Sequence, residues 1–280
     1  MPELPEVETT MRLVRPLVVG RTIERVECAW PRTVEGDIKA FARAVQGQRI
    51  AQAWRRAKWI VMDLEGSARA AQHVLVHLRM TGRLVVEPTQ QAPPAWWKVA
   101  LHLQGGQTLW FLDVRKFGRV LARSAPIPEF ADLGPEPLSS TFDGAWLHSA
   151  LQARRRAMKP LLLDQTFLAG LGNIYVDESL HAVGLHPLVN SARVSLQQAQ
   201  ELALVIKRVL AEAIEREGSS FDSFYRTPEG NPGSYQAQFQ VYGRDGQACR
   251  RCGTTIKKLV VGQRGTHVCP RCQPLRRKRA

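Results

Sequence analysis

The chain has 280 residues, 44% hydrophobic and 23% charged, which is the balance of a globular protein and excludes a disordered or fibrous one. At about 100–150 residues per domain two domains are expected, and no apolar run approaches the roughly 18 residues needed to span a bilayer, so no membrane partner is expected. Thirty-nine Lys and Arg against 25 Asp and Glu leave a net charge of +14, which points to a phosphate polymer as the partner.

The opening MPELPEVETT is acidic and carries prolines, unlike the basic and apolar regions of a secretory leader, so a cytoplasmic location is expected. A short helix is predicted from Pro5 to Arg15, because Pro5 suits a first helical turn and Pro16 marks a stop. Residues 20–124 read mainly as strands, among them Arg21–Ala29, Arg49–Leu64, His73–Glu87 and Lys98–Val114. Gly105-Gly106 is a hairpin signal, and together the strands suggest a sandwich. Cys28 reads as a buried small apolar residue. Ser124–Ser140, with Pro126, Pro128, Pro135 and Pro137, is a linker by composition.

Beyond it the period becomes helical, most clearly from Ser195 to Glu217, where Leu202, Val205, Ile206, Val209, Leu210, Ala213 and Ile214 form one apolar stripe. Ser195 with Gln198 makes a capping box, and Gly218 is a plausible stop. Between the linker and this helix, Phe167-Leu-Ala-Gly-Leu-Gly-Asn-Ile-Tyr interrupts the pattern with two glycines and restarts it at Asn173, which reads as an N-cap. A helix N-terminus offers amides and a positive dipole end to an anion, so Gly170–Asn173 could hold a backbone phosphate. Alone, such a turn is most often only a turn; the cations Arg154-Arg-Arg156 and Lys159 just upstream favour the phosphate reading.

The last 32 residues, from Cys249, carry ten Lys or Arg and no acid. Within them the pattern Cys249-x2-Cys252-x16-Cys269-x2-Cys272 has the spacing of a zinc ribbon. Two disulfides are the alternative, which a reducing compartment disfavours. Four thiolates close the coordination sphere, so the zinc is expected to be structural, with no open position for water.

The N-terminus is chemically unusual. Met1 precedes a small residue, and its removal would leave a secondary amine on Pro2. An α-amino group titrates near pKa ~8 and is appreciably unprotonated at neutral pH. Attack on an aldehyde-equivalent carbon would give a cationic iminium, an electron sink that acidifies neighbouring C–H bonds, with Glu3 placed to shuttle protons. An N-terminal proline by itself usually has no such role.

The opening Pro2-Glu-Leu-Pro-Glu-Val-Glu-Thr9, the Gly-Leu-Gly-Asn-Ile-Tyr-Val-Asp-Glu-Ser block at 170–179 and the terminal Gln263-Arg-Gly-Thr…Cys-Pro-x-Cys-Gln273 occur in one order and resemble formamidopyrimidine-DNA glycosylase over essentially the whole chain. The resemblance implies an α+β fold: an N-terminal β-sandwich with a leading helix (1–124), a linker (125–140), a helix–two-turn–helix domain with a lesion-reading loop (141–235), and a zinc finger with basic tail (236–280). It implies a monomeric base-excision repair enzyme, associated with the nucleoid, that binds damaged double-stranded DNA in a cleft between two lobes. Such an enzyme excises 8-oxoguanine and formamidopyrimidines and cuts the strand by β,δ-elimination.

The base must leave the stack before its glycosidic carbon can be attacked, and something must fill the gap. By the same resemblance Pro2 attacks C1′, Glu3 donates protons, Lys58 assists β-elimination and Arg264 assists δ-elimination. Met80 plugs the void, Arg115 engages the orphaned base, and Phe117 wedges the adjacent step. Asn173, Arg264 and Arg155 contact DNA. One departure stands out: the family's Lys-His-x-His-Val pattern is here Ala95-Trp-Trp-Lys-Val99. Trp96 replaces a DNA-contacting histidine, and Lys98 is the candidate to compensate with a phosphate bond. Two other readings are a related endonuclease VIII-type enzyme acting on oxidised pyrimidines, whose usual opening is Pro-Glu-Gly-Pro-Glu-Ile, and a non-enzymatic zinc-dependent DNA-binding protein, which would leave Pro2, Glu3 and Lys58 unexplained.

Overall fold

The computed structural model describes residues 2–66, 71–220 and 225–275. The chain forms two compact units, residues 1–131 with 214–234, and residues 132–213 with 235–280.

In the first unit, helix α1 (Leu4–Val18) precedes strands β1 (Ile23–Cys28), β2 (Arg49–Arg56), β3 (Trp59–Glu65), β4 (His73–His77), β5 (Gly82–Pro88), β6 (Trp97–Leu103), β7 (Gln107–Asp113) and β8 (Arg119–Arg123). They form two antiparallel four-stranded sheets, ordered β1-β6-β7-β5 and β2-β3-β4-β8. Ile60, Met62, Val74, Val76 and Val120 from one sheet and Leu84, Val99, Leu101, Leu109 and Phe111 from the other fill one core with Val7, Met11 and Val14 of α1. The predicted sandwich is present, with the hairpin turn at Gly105-Gly106 where expected.

Four local expectations change. Helix α1 runs through Pro16 to Val18, because a proline near the last turn removes only one donor while Val14 and Val18 remain buried anchors. The predicted strand 49–64 is two strands joined at Ala57-Lys58, with Ala57 in the left-handed region at φ 53°. Likewise 73–87 breaks at Leu78–Thr81, where the chain leaves one sheet for the other and Arg79 takes φ 54°. Both turns lack the glycine or asparagine that marks such conformations in a sequence. Helix α2 (Ile38–Val45) was not predicted, although Asp37 caps it by accepting from the Ala40 N–H at 3.1 Å.

The proline-rich stretch is also more than a connector. Ile127 and Phe130 cover Val61, Leu75 and Leu121 on the outer face of β3, β4 and β8, and Phe130 meets the Trp54 ring edge-on at 6.0 Å. Cys28 is half-buried at the edge of the core rather than buried within it.

The second unit holds α3 (Gly144–Gln152), α4 (Met158–Leu163), α5 (Asn173–Ala182), most of α6 (Leu196–Glu215) and the hairpin β9 (Lys257–Val261)–β10 (Arg264–Val268). The Ser195–Gln198 capping box forms in both directions, at 3.0 and 3.2 Å. The predicted apolar stripe of α6 is buried throughout. The helix ends at Glu215, and Glu217 as well as Gly218 turns left-handed beyond it.

Candidate functional site

Pro2 and Glu3 are both buried, and Glu3 is the N-cap of α1. Its backbone N–H donates to the Glu6 carboxylate at 2.8 Å. The other Glu6 oxygen accepts from the Ser219 N–H at 2.8 Å, so one buried acid joins the N-terminus to the segment beginning at Gly218. A Cβ on Gly218 would lie 2.8 Å from the Glu6 side chain, and the glycine itself sits at φ 77°, so this approach requires glycine. Glu6 was not singled out in the sequence; its place three residues after Glu3 at a helix start was the available signal.

Lys58 occupies the β2–β3 turn and not a strand, and it is 7% exposed. Arg55 stabilises that turn, donating to the Ala57 carbonyl at 2.9 Å and to Glu8 at 2.8 Å. Burial pushes the Glu8 carboxyl up, but the bonds and charges of Arg55 and Arg12 outweigh it and hold the group below its ordinary value. His77 lies against the Trp59 ring at 4.7 Å, and burial first, then Arg79 and Lys58, push its pKa down to about 3. The imidazole beside Lys58 is therefore neutral throughout the physiological range.

Met80 is half-buried in the turn after β4. Arg115 and Phe117 lie in the exposed loop after β7, with the Arg115 guanidinium 5.0 Å from the centre of the Phe117 ring. Lys116, between them, sits over the Trp30 ring at 3.9 Å. Trp96 is 62% exposed at φ 65°, an unusual conformation for a bulky residue. Lys98 is buried, its ammonium pKa lowered by burial and by Lys116. Its Nζ donates at 3.4 Å to the Trp97 carbonyl, so a compensating phosphate bond is not prepared in this conformation.

In the second unit Asn173 is the first residue of α5, and Gly172 takes the N-cap position without a side-chain cap. The Asn173 amide instead donates to the Gly265 carbonyl at 3.0 Å, tying the start of α5 to β10 beside Arg264. Arg264 is exposed next to a two-residue turn in which Gly262 and Gln263 both have positive φ. Lys159, counted above among the phosphate-attracting cations, is fully buried; it donates to Asp177 at 2.7 Å and to the Gly265 carbonyl at 3.0 Å. Arg156 pairs with Asp164 at 2.8 Å, whereas Arg155 is exposed. The structure thus groups Asn173 with Arg264, places Arg155 apart from them in sequence on the turn before α4, and removes Lys159 from the surface.

The four cysteine sulfurs lie within 4.8 Å of one another. Cys252–Cys269 and Cys249–Cys272 separations of 3.4 and 3.9 Å bracket the about 3.8 Å edge of a tetrahedron built on Zn–S bonds of about 2.3 Å. The donor set is all thiol, which fits a closed zinc site and leaves no ligand position for chemistry.

Family models match in the same order as these elements: the formamidopyrimidine-DNA glycosylase N-terminal domain at residues 1–120, the H2TH domain of that glycosylase at 133–224, and a zinc finger found in FPG and IleRS at 246–275. A formamidopyrimidine-DNA glycosylase of Chloroflexus aurantiacus is 43% identical over 276 residues, 98% of either chain. The crystal structure of the MutM (Fpg) protein from Thermus thermophilus is 40% identical with a TM-score of 0.86, covering 97% of this chain and 98% of that one. A Lactococcus lactis Fpg in complex with a Fapy-dG containing DNA is 33% identical with a TM-score of 0.88, over 98% of this chain and all (100%) of that one. With similarity running the length of the chain through all three modules, this protein belongs to the formamidopyrimidine-DNA glycosylase family.

Proposed function

We propose that this protein is a bifunctional base-excision repair enzyme that removes oxidised purines from duplex DNA and cleaves the strand, with one structural zinc in its C-terminal hairpin. The observation that carries the reading is the buried Pro2-Glu3 pair at the start of α1, in a chain that matches the family from end to end.

After loss of Met1, the Pro2 amine attacks C1′ of the everted nucleotide; the C1′–N bond forms as the bond to the base breaks, and the base leaves with a proton. The ring-opened sugar is held as an iminium. Loss of the C2′ proton then expels the 3′ phosphate, and a second elimination expels the 5′ phosphate. Glu3 supplies and takes protons at Pro2, Lys58 assists the first elimination, and Arg264 assists the second. Met80 and Phe117 fill and wedge the emptied stack, and Arg115 engages the orphaned base. Asn173 with the amide end of α5, Arg155 and Arg264 engage phosphates. Trp96 offers an aromatic face where the family places a histidine, a contact made by stacking and not by charge. The protein acts as a monomer in the cytoplasm.

Borohydride trapping on duplexes carrying 8-oxoguanine opposite cytosine or thymine glycol, with mass mapping of the adduct, tests this. A cross-link at Pro2 on the 8-oxoguanine duplex is expected. Trapping mainly on thymine glycol would reassign the substrate to oxidised pyrimidines, and no adduct on either would remove the enzymatic reading.

A further inference from the structure

Two separate segments carry the side chains assigned to fill the duplex after base eversion: the turn with Met80, and the loop with Arg115 and Phe117. They meet at one buried polar pair. Asp113, 1% exposed at the end of β7, accepts a hydrogen bond from the Thr81 hydroxyl and further ones from the Arg115 N–H at 3.2 Å and the Gly118 N–H at 2.7 Å. The Thr81 oxygen accepts from the same Arg115 N–H at 3.1 Å. Thr81 is itself buried and directly follows Met80.

The Asp113 carboxylate therefore holds both ends of the Arg115–Phe117 loop and, through one hydroxyl, the Met80 turn. The loop has its own constraints. Lys116 takes φ 61°, and a Cβ on Gly118 would lie 2.3 Å from the Phe111 ring. Such a loop, presenting a half-exposed phenyl ring and an exposed arginine, needs support from beneath to keep one shape, and hydrogen bonds to a buried carboxylate are strong supports.

We infer that Thr81 and Asp113 are a positioning pair that couples the Met80 plug to the Arg115–Phe117 wedge, so that the two enter the duplex as one unit. This rests on the glycosylase reading given above. Driving a base out of the stack depends most on the pair; cleavage at a site that already lacks its base, where that cost is absent, depends on it far less.

The test compares wild type with Thr81→Val, which keeps the shape and loses the hydroxyl, and Thr81→Ser, which restores it. Single-turnover excision of 8-oxoguanine and strand cleavage at a preformed abasic site are measured on each protein, with 2-aminopurine fluorescence beside the lesion reporting insertion. Thr81→Val is expected to slow excision about tenfold or more and to weaken the 2-aminopurine signal, with abasic-site cleavage changed by less than about twofold. Thr81→Ser is expected to match wild type. In a Phe117→Ala background Thr81→Val should add little, because the coupled partner is already gone.

Equal loss in both assays, no loss in either, or full additivity with Phe117→Ala would overturn the coupling. Wild-type protein that cuts abasic sites but leaves 8-oxoguanine in place would instead overturn the functional reading, and the coupling with it. Asp113→Asn is the second variant, expected to show the same excision-specific loss because its amide must turn donors toward backbone N–H groups.

Discussion

At the level of single residues, the groups proposed to react are separate from charged groups that resemble candidate DNA contacts but are structural. Glu3 is nearly inaccessible and held at a helix start beside Pro2. Glu3→Gln keeps its size and removes its acid–base capacity; base excision should fall by about 10²–10⁴-fold while duplex affinity is retained, measured by single-turnover cleavage beside a binding titration. Lys159 and Asp177 are the opposite case. Both side chains are 0% exposed, 2.7 Å apart, and Lys159 also reaches the Gly265 carbonyl. Lys159→Met removes the ammonium from a buried carboxylate that keeps the His267 N–H at 2.9 Å as a donor, so a loss of about 3–5 kcal/mol in stability is expected from denaturant titration. Arg155→Ala, at an exposed position, should leave stability unchanged and weaken DNA binding alone. A sequence shows both residues as cations near a glycine turn; the difference between them lies in Asp177, 18 positions from Lys159 in the chain.

At the level of elements, the β4 strand end and the zinc hairpin give measurable behaviour. His77 is neutral in the folded chain down to about pH 3, whereas an unfolded histidine binds a proton below about 6.5. The depressed pKa means that the unfolded state takes up protons the native state refuses. Stability from this group is complete above pH 6.5 and is lost progressively as pH falls toward 3. His77→Gln should flatten the acid side of the melting-temperature profile between pH 6.5 and 4. The zinc hairpin has only a small apolar core among the described residues: Val241 and Ile256 packed with the cysteines, and the buried Val261 and Val268 of its strands. Cys249→Ser, or chelation, should release the ordered hairpin around Arg264 and abolish specific duplex binding, while the sandwich of the first unit retains its melting transition, as followed by circular dichroism. Much of this scale was readable beforehand: the Ser195–Gln198 box, the α6 stripe, the Gly105-Gly106 turn and the cysteine spacing are all local patterns. The splits at Ala57 and Arg79 were not, because ordinary residues occupy the left-handed turns there, held by the surrounding sheets.

For the molecule as a whole, the net charge of +14 governs encounter with DNA. Affinity for duplex should fall linearly in log–log form with salt, with a slope set by the number of phosphates neutralised, and a flat response would contradict the electrostatic role assigned to Arg155 and Arg264. Arg264→Ala should reduce that slope by about one. The sequence by itself determined the order of modules, the four-thiol metal site and the family, because these rest on residue type and short spacing. Only the tertiary structure decided which cations face solvent, that Asn173 binds Gly265 and leaves the cap to Gly172, that Ile127 and Phe130 roof a sheet, and that Thr81 meets Asp113. Those outcomes depend on burial and on partners distant in the chain, and burial is a property of the packed whole that no local pattern carries.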